Sequence, residues 1–153
     1  MRTVIVLLAI IWLSGCVAKT GPIGPEKEFH DAAVSVKAKS YQDAVAAYKK
    51  IAADSPGSAL AAEALFELAL VHAHHDNPRR DYAQATHTFE EFLKSHPDNG
   101  RAAEAQTWIL ILKTVQELKK QNEHLSKSIV ELKRSIEQLK RIDVRHEERR
   151  KGR

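Results

Sequence analysis

The sequence predicts an all-α fold: helical hairpins followed by a long C-terminal coiled-coil helix. Three observations carry this. Gly and Pro are few in 153 residues, 6 and 5, and the prolines separate segments dominated by Ala, Leu, Lys, Glu and Gln, which are strong helix formers. A set of apolar residues recurs after 41 positions. No Pro or Gly interrupts residues 101–151, where apolar residues alternate at spacings of three and four, the period of a helix that pairs with another helix.

Residues 1–15 read as a secretory signal peptide. Arg2 precedes the apolar run Val4 to Leu13, and Ser14 and Gly15 provide the small-residue exit. The run is about half the roughly 20 residues that a bilayer span requires. Leu13-Ser14-Gly15-Cys16 contains the single cysteine of the chain and resembles a bacterial lipobox. The resemblance implies cleavage before Cys16, joining of its thiol to diacylglycerol and acylation of the new amino terminus. That covalent lipid is the only prosthetic group expected; no other cofactor and no metal is. The alternative is an ordinary signal peptide with a chance cysteine. Lipidation consumes the only thiol, so the mature chain has none left for a disulfide or a cysteine metal site. Residues 16–25 form the lipidated cysteine and its tether. The nine residues Val17 to Pro25 contain Gly21, Pro22, Gly24 and Pro25 and reach at most about 30 Å.

Residues 26–112 hold the repeat. Tyr41, Ala44, Tyr48, Ile51 and Pro56 return as Tyr82, Ala85, Phe89, Phe92 and Pro97. Steps of three and four place the first four of each set on one helical face. The alanine permits close helix approach, the aromatic fills the space beside it, and the proline ends the segment. Partner helices are expected upstream, over about 26–39 and 58–75. The pattern resembles the tetratricopeptide repeat, a 34-residue helix–turn–helix unit. Leu65, Leu68 and Ala69 fall at its packing positions, and His72 stands where the family commonly has tyrosine. Loop 76–80 is longer than the family's connection. The first helix departs more: Glu28, Asp31 and Ser35 occupy places for bulky residues and only Ala32 fits, so a polar cap is expected there. The alternative is a plain helical bundle. Terminal repeats need covering, and the helix starting near Arg101 is expected to supply this with Trp108, Ile109 and Leu112.

Asp54-Ser55-Pro56-Gly57-Ser58 followed by Ala62-Glu63-Ala64-Leu65-Phe66 is similar to envelope lipoproteins of the outer-membrane assembly type. A third start, at Ser95-His96-Pro97-Asp98-Asn99-Gly100, repeats the pattern weakly. The resemblance implies a concave partner-binding face in which Glu63, Phe66, Leu70 and His74 are presented. Val17 follows Cys16; aspartate there commonly signals inner-membrane retention in such lipoproteins. Its absence implies an outer-membrane anchor with the protein facing the periplasm.

Residues 113–144 are expected to form a coiled coil. Trp108, Val115, Asn122, Ile129 and Ile136 take the a positions; Ile111, Leu118, Leu125, Leu132 and Leu139 take d. β-branched residues at a with leucine at d favour a parallel two-stranded coil, and a lone asparagine at a fixes register. The e sites carry Lys119, Ser126, Lys133 and Lys140; the g sites carry Gln121, Ser128 and Ser135. The core thus promotes a parallel homodimer, while the flanks leave room for a heteromer with a more acidic helix. The alternative is a helix folded back on the repeats. Asp143 and His146 at a and d end the zipper near Ile142, leaving residues 145–153 as a solvated basic tail. The stretch 139–150 is weakly similar to small lipoproteins paired with envelope sensor kinases.

Charge is uneven. Residues 17–112 carry 10 Lys and Arg against 13 Asp and Glu, while 113–153 carry 13 against 7. An exported chain points away from nucleic acid and towards acidic protein surfaces or anionic headgroups. His72, His75 and Asp76 have helical spacing but too little support for a metal site. No phosphate-binding glycine loop, Ser/His/Asp set or paired-carboxylate motif can be named. A non-enzyme is expected. The leading reading is an adaptor whose partner is an envelope protein, either an assembly complex or a sensor kinase ectodomain. The second is a spacer dimer linking the outer membrane to cell wall or lipopolysaccharide. The third is an enzyme accessory or weak metal binder.

Overall fold

The computed structural model describes residues 24–152. The signal peptide, Cys16 and most of the tether therefore lie outside the described residues. Within them, five helices follow one another: α1 (Pro25–Lys37), α2 (Tyr41–Asp54), α3 (Ala59–Ala73), α4 (Tyr82–Ser95) and α5 (Ala102–Lys151).

Local chemistry sets most of the boundaries. Pro25 opens α1 at a position where its missing N–H costs nothing. Lys39 closes α1 in the left-handed region, at φ 62°, and the Ser40 N–H returns to the Ser35 carbonyl at 2.8 Å; this terminal loop satisfies a free carbonyl. Ser58 caps α3 by accepting the Ala61 N–H at 3.0 Å. The Asp81 carboxylate caps α4 by accepting from Ala83 and Gln84. Pro56 and Pro97 each follow the end of a repeat helix.

Each helix packs against the next, and polar contacts fix their directions. Glu28 near the start of α1 pairs with Lys50 near the end of α2. Lys39 past the end of α1 meets Asp76 past the end of α3 at 2.7 Å. Arg101, ahead of α5, meets Glu63 near the start of α3 at 2.9 Å. The starts of α1, α3 and α5 therefore share one end of the stack. The five helices alternate in direction, and α5 runs parallel to α1.

The repeat is visible in the core. Ala44, Tyr48 and Ile51 are buried, as are Ala85, Phe89 and Phe92. They form two apolar clusters, divided by α3, which contributes Ala64, Leu68 and Val71 to one and Ala62, Leu65, Phe66 and Ala69 to the other. Since α3 lies between α2 and α4, apolar residues occur all round it, as expected of a helix buried on more than one side.

The polar-cap expectation for α1 needs correction. Ala32 is buried, but Phe29 and Val36 also pack into the cluster, and the Phe29 ring meets Tyr48 edge-on with centroids 5.3 Å apart. The packing face is Phe29, Ala32 and Val36, one position displaced from Glu28, Asp31 and Ser35. Burial, with a smaller contribution from the Glu67 carboxylate, pushes the Tyr48 hydroxyl up to about 12.

The segment between α3 and α4 is organised by Asn77, a buried polar side chain. Its amide donates to the Val71 carbonyl at 2.9 Å and its oxygen accepts the Arg79 N–H at 2.9 Å. Asn77→Ala removes both and leaves the Val71 carbonyl without this donor. A loss of about 1–3 kcal/mol is expected, and urea unfolding of the chain measures it; a midpoint within error of the parent would rule out this role.

Candidate functional site

Four residues were expected on a concave docking face. Glu63, Phe66, Leu70 and His74 step along α3 and just past its end, but they do not form one open surface. Phe66 is fully buried. Its ring meets Phe89 and Phe92 edge-on, with centroids 5.1 and 5.4 Å away, and the Arg101 guanidinium lies 3.4 Å over its centroid. Phe66 is therefore core rather than a contact for a partner. Glu63 is held by Arg101, Leu70 is half-buried against the same cluster, and His74 lies 5.0 Å from the Tyr41 ring and stacks on His75.

Arg101 organises this end of the stack. Its guanidinium donates to Glu63 at 2.9 Å, Glu104 at 3.1 Å and Glu67 at 3.2 Å. Burial lowers the guanidinium's affinity for its proton, but the hydrogen bonds to Glu104, Glu63 and Glu67 outweigh it and raise the group above its usual range. In the sequence Arg101 marks only a helix start. Its partners Glu63 and Glu67 are 38 and 34 residues away, and no local pattern signals that pairing.

The histidine cluster is also reorganised. α3 ends at Ala73, so His74, His75 and Asp76 occupy a turn and the helical spacing expected for His72, His75 and Asp76 does not exist there. His75 Nε2 lies 3.2 Å from Asp76, while His72 sits apart, beside Tyr41, Gln42 and Val45. Among the described residues no three His, Cys, Asp or Glu side chains converge as a metal site. The Nε2 atom of His72 is buried without a hydrogen-bond partner.

Burial pushes His72 below its ordinary value of 6.5, Lys49 adds to this and Asp81 opposes it. The unfolded chain then takes up a proton that the folded chain resists. Stability from neutral His72 is complete above about pH 6.5 and falls as the pH drops below it. The thermal midpoint is expected to decline between pH 6.5 and 5, and His72→Tyr to flatten that decline; an unchanged slope in the variant would remove His72 as its source.

The most distinctive surface is on α5. Ala105 and Leu112 are buried, with Trp108 and Ile109 packed against the same cluster; the Trp108 ring is nearly parallel to Phe89, centroids 6.4 Å apart. This covers the second hairpin, as the sequence predicts. Lys113 pairs with Glu90 at 2.8 Å, and the Gln116 amide donates to the Tyr82 carbonyl and Thr86 Oγ1, each at 3.3 Å. Gln116 has then reached the start of α4. The helix continues to Lys151, a further 35 residues or about 50 Å. It does not fold back on the hairpins, and it stays helical through residues 145–151, past Ile142 where the zipper pattern is expected to end.

Along that extension Val115, Leu118, Leu125, Ile129, Leu132, Ile136 and Leu139 are between 37% and 65% exposed, and Asn122 in their row is exposed as well. At about 100° per residue, the stripe lies about 120° round the helix from the Ala105–Leu112–Gln116 face. It is thus a second apolar face, separate from the one used by the domain. Trp108, assigned to the first a position, belongs instead to the domain. No helix of the described residues is long and apolar enough to cross a membrane. The chain matches no protein-family model, no curated protein and no solved structure.

Proposed function

We propose that this protein is a lipid-anchored envelope adaptor, non-catalytic, held in the outer membrane through Cys16 and facing the periplasm. The observation that carries this reading is the relation between the two ends of the chain. The lipobox-like Leu13-Ser14-Gly15-Cys16 precedes α1, and the apolar stripe of α5 extends from the opposite end of the hairpin stack. Together they support the reading of a body anchored at one end with an unpaired apolar helix face at the other. The hairpins, read as tetratricopeptide-like, are the scaffold between them, and the partner is an envelope protein such as an assembly complex or a sensor kinase ectodomain.

Metabolic labelling with an alkyne fatty acid, followed by membrane fractionation, tests the anchor. The parent chain is expected to carry label and to sediment with outer membranes; Cys16→Ser is expected to lose the label. A parent chain without label, or with label in the inner membrane, would overturn the anchor or its location.

The spacer reading draws on the same geometry together with one further feature: residues 145–153 are basic, and those up to Lys151 form the far end of α5. Under that reading the chain binds purified cell wall or lipopolysaccharide, and binding falls steeply between low and high salt because exposed charges are screened. Salt-independent recovery of a protein partner instead would favour the adaptor.

A further inference from the structure

We propose that the apolar stripe of α5 is covered by the stripe of a second copy of this chain, in a parallel, in-register two-stranded coil running from about Val115 to Ile142. This deepens the adaptor reading and rests on it for the common orientation of anchored copies.

The occupant follows from the residues along and beside the stripe. Val115, Ile129 and Ile136 at a with Leu118, Leu125, Leu132 and Leu139 at d form the pattern that favours two parallel strands. Asn122 then selects among registers. Only when two copies align without offset does Asn122 face Asn122, where the amides can bond each other; any shift by whole heptads places each against an apolar residue.

The flanks decide direction. In a parallel pair the e residues of one helix face the g residues of the other. Lys133 then lies by Ser128 and Lys140 by Ser135, neutral and small on every copy. In an antiparallel pair centred near residue 129, e faces e, and Lys119 meets Lys140 twice, a like-charge contact that destabilises a helix pair. The lysines that lack acidic partners thus select direction without repelling the parallel twin. Ion pairing within each helix absorbs other charges, as between Arg141 and Glu137.

The domain leaves the space open. Its packing face on α5 is about a third of a turn from the stripe, so a second helix can lie on the stripe beyond Gln116 while each copy keeps its own α4. Since α5 runs parallel to α1, copies tethered to one membrane through the segment before α1 project their stripes in the same direction. No copy needs to invert to complete the pair.

The test uses the full, lipidated chain in native membranes, where Cys16 is consumed by the lipid and one introduced thiol is alone. Leu125→Cys and Leu132→Cys each place a thiol at d; Lys127→Cys places one on the outward face of the same helix. Mild oxidation is expected to give a species of twice the chain mass for the two d variants and at least tenfold less for Lys127→Cys. Adding Ile129→Glu to Leu125→Cys is expected to abolish the doubled species, while Trp108 emission of the purified variant reports hairpins still folded. A Leu125→Cys chain that stays single, or that joins a different protein, would overturn the proposal. So would efficient joining of Leu125→Cys with Leu132→Cys when the two are co-expressed but neither alone, which denotes an antiparallel pair. Fatty-acid labelling in the same samples separates the two readings: label without doubling rejects the coil and keeps the anchor, and doubling without label, when it persists in a Cys16→Ser background, does the reverse.

Discussion

Phe66→Ala is expected to cost about 3–5 kcal/mol, the largest loss from any single truncation in the hairpins. The ring is fully buried and has neighbours on every side: Phe89 and Phe92 from α4 and the Arg101 guanidinium from the head of α5. Three helices converge on one side chain, so the cavity cannot collapse without moving elements joined to the rest of the stack. A chain of this size has a stability of only about 5–15 kcal/mol, so the variant sits near or past the point of unfolding at 37 °C. Helical circular dichroism is a poor probe, because α5 alone supplies 50 helical residues. Trp108 emission is the better one. It stacks on Phe89 within the affected cluster, and with residues 1–15 removed it is the sole tryptophan. A loss below about 1 kcal/mol would mean that Phe66 is not the centre of this core.

Arg101→Ala is expected to cost about 2–3 kcal/mol, the scale of lost hydrogen bonds to charged groups together with a guanidinium over an aromatic face. The figure is held down by exposure: the Arg101 side chain is 28% exposed and its three carboxylate partners more so. Removal also leaves Glu63 and Glu67 one turn apart on α3 without their shared cation, a like-charge pair at the spacing that destabilises helices. Arg101→Lys is expected to recover less than half of the loss, since a point charge cannot serve three acceptors and stack flat on Phe66 at once. Urea titrations of the two variants and of Glu63→Gln decide this. Equal stability of the lysine variant and the parent would show that charge alone, and not the planar group, is responsible.

Much of this architecture is legible in the sequence because it is repetitive or periodic. The 41-residue displacement marks α2 and α4 correctly, since both are half-buried helices whose buried side carries aromatic and small residues in fixed order. The length of α5 follows from the absence of Pro and Gly. Other features were hidden for physical reasons. α1 packs chiefly on α2, so three residues, Phe29, Ala32 and Val36, suffice for its face, and a one-position change of frame makes it look polar. Phe66 was placed on an open groove by resemblance, but its true cover is Arg101, which comes from a distant segment. Asn77, in Asp76-Asn77-Pro78, reads as an ordinary turn residue; its burial depends on the end of α3, where it bonds the Val71 carbonyl, and on Tyr41 and Val45 of α2 beside it. For the candidate site the balance is similar. The stripe on α5 is written in its own period, whereas the expected docking quartet on α3 depended on contacts between segments.

The odd number of helices among the described residues has a mechanical consequence. With five alternating rods, α5 leaves the body at the end away from the start of α1, so its far end stands off from that start by about the length of the rod itself. That distance is graduated. Removing one heptad, such as residues 129–135, shortens it by about 10 Å while restoring the same order of a and d residues, whereas removing three or four turns the stripe out of line. Such a post can be trimmed or extended in whole steps without redesign of its base, and any gap it bridges is measured in units of seven residues.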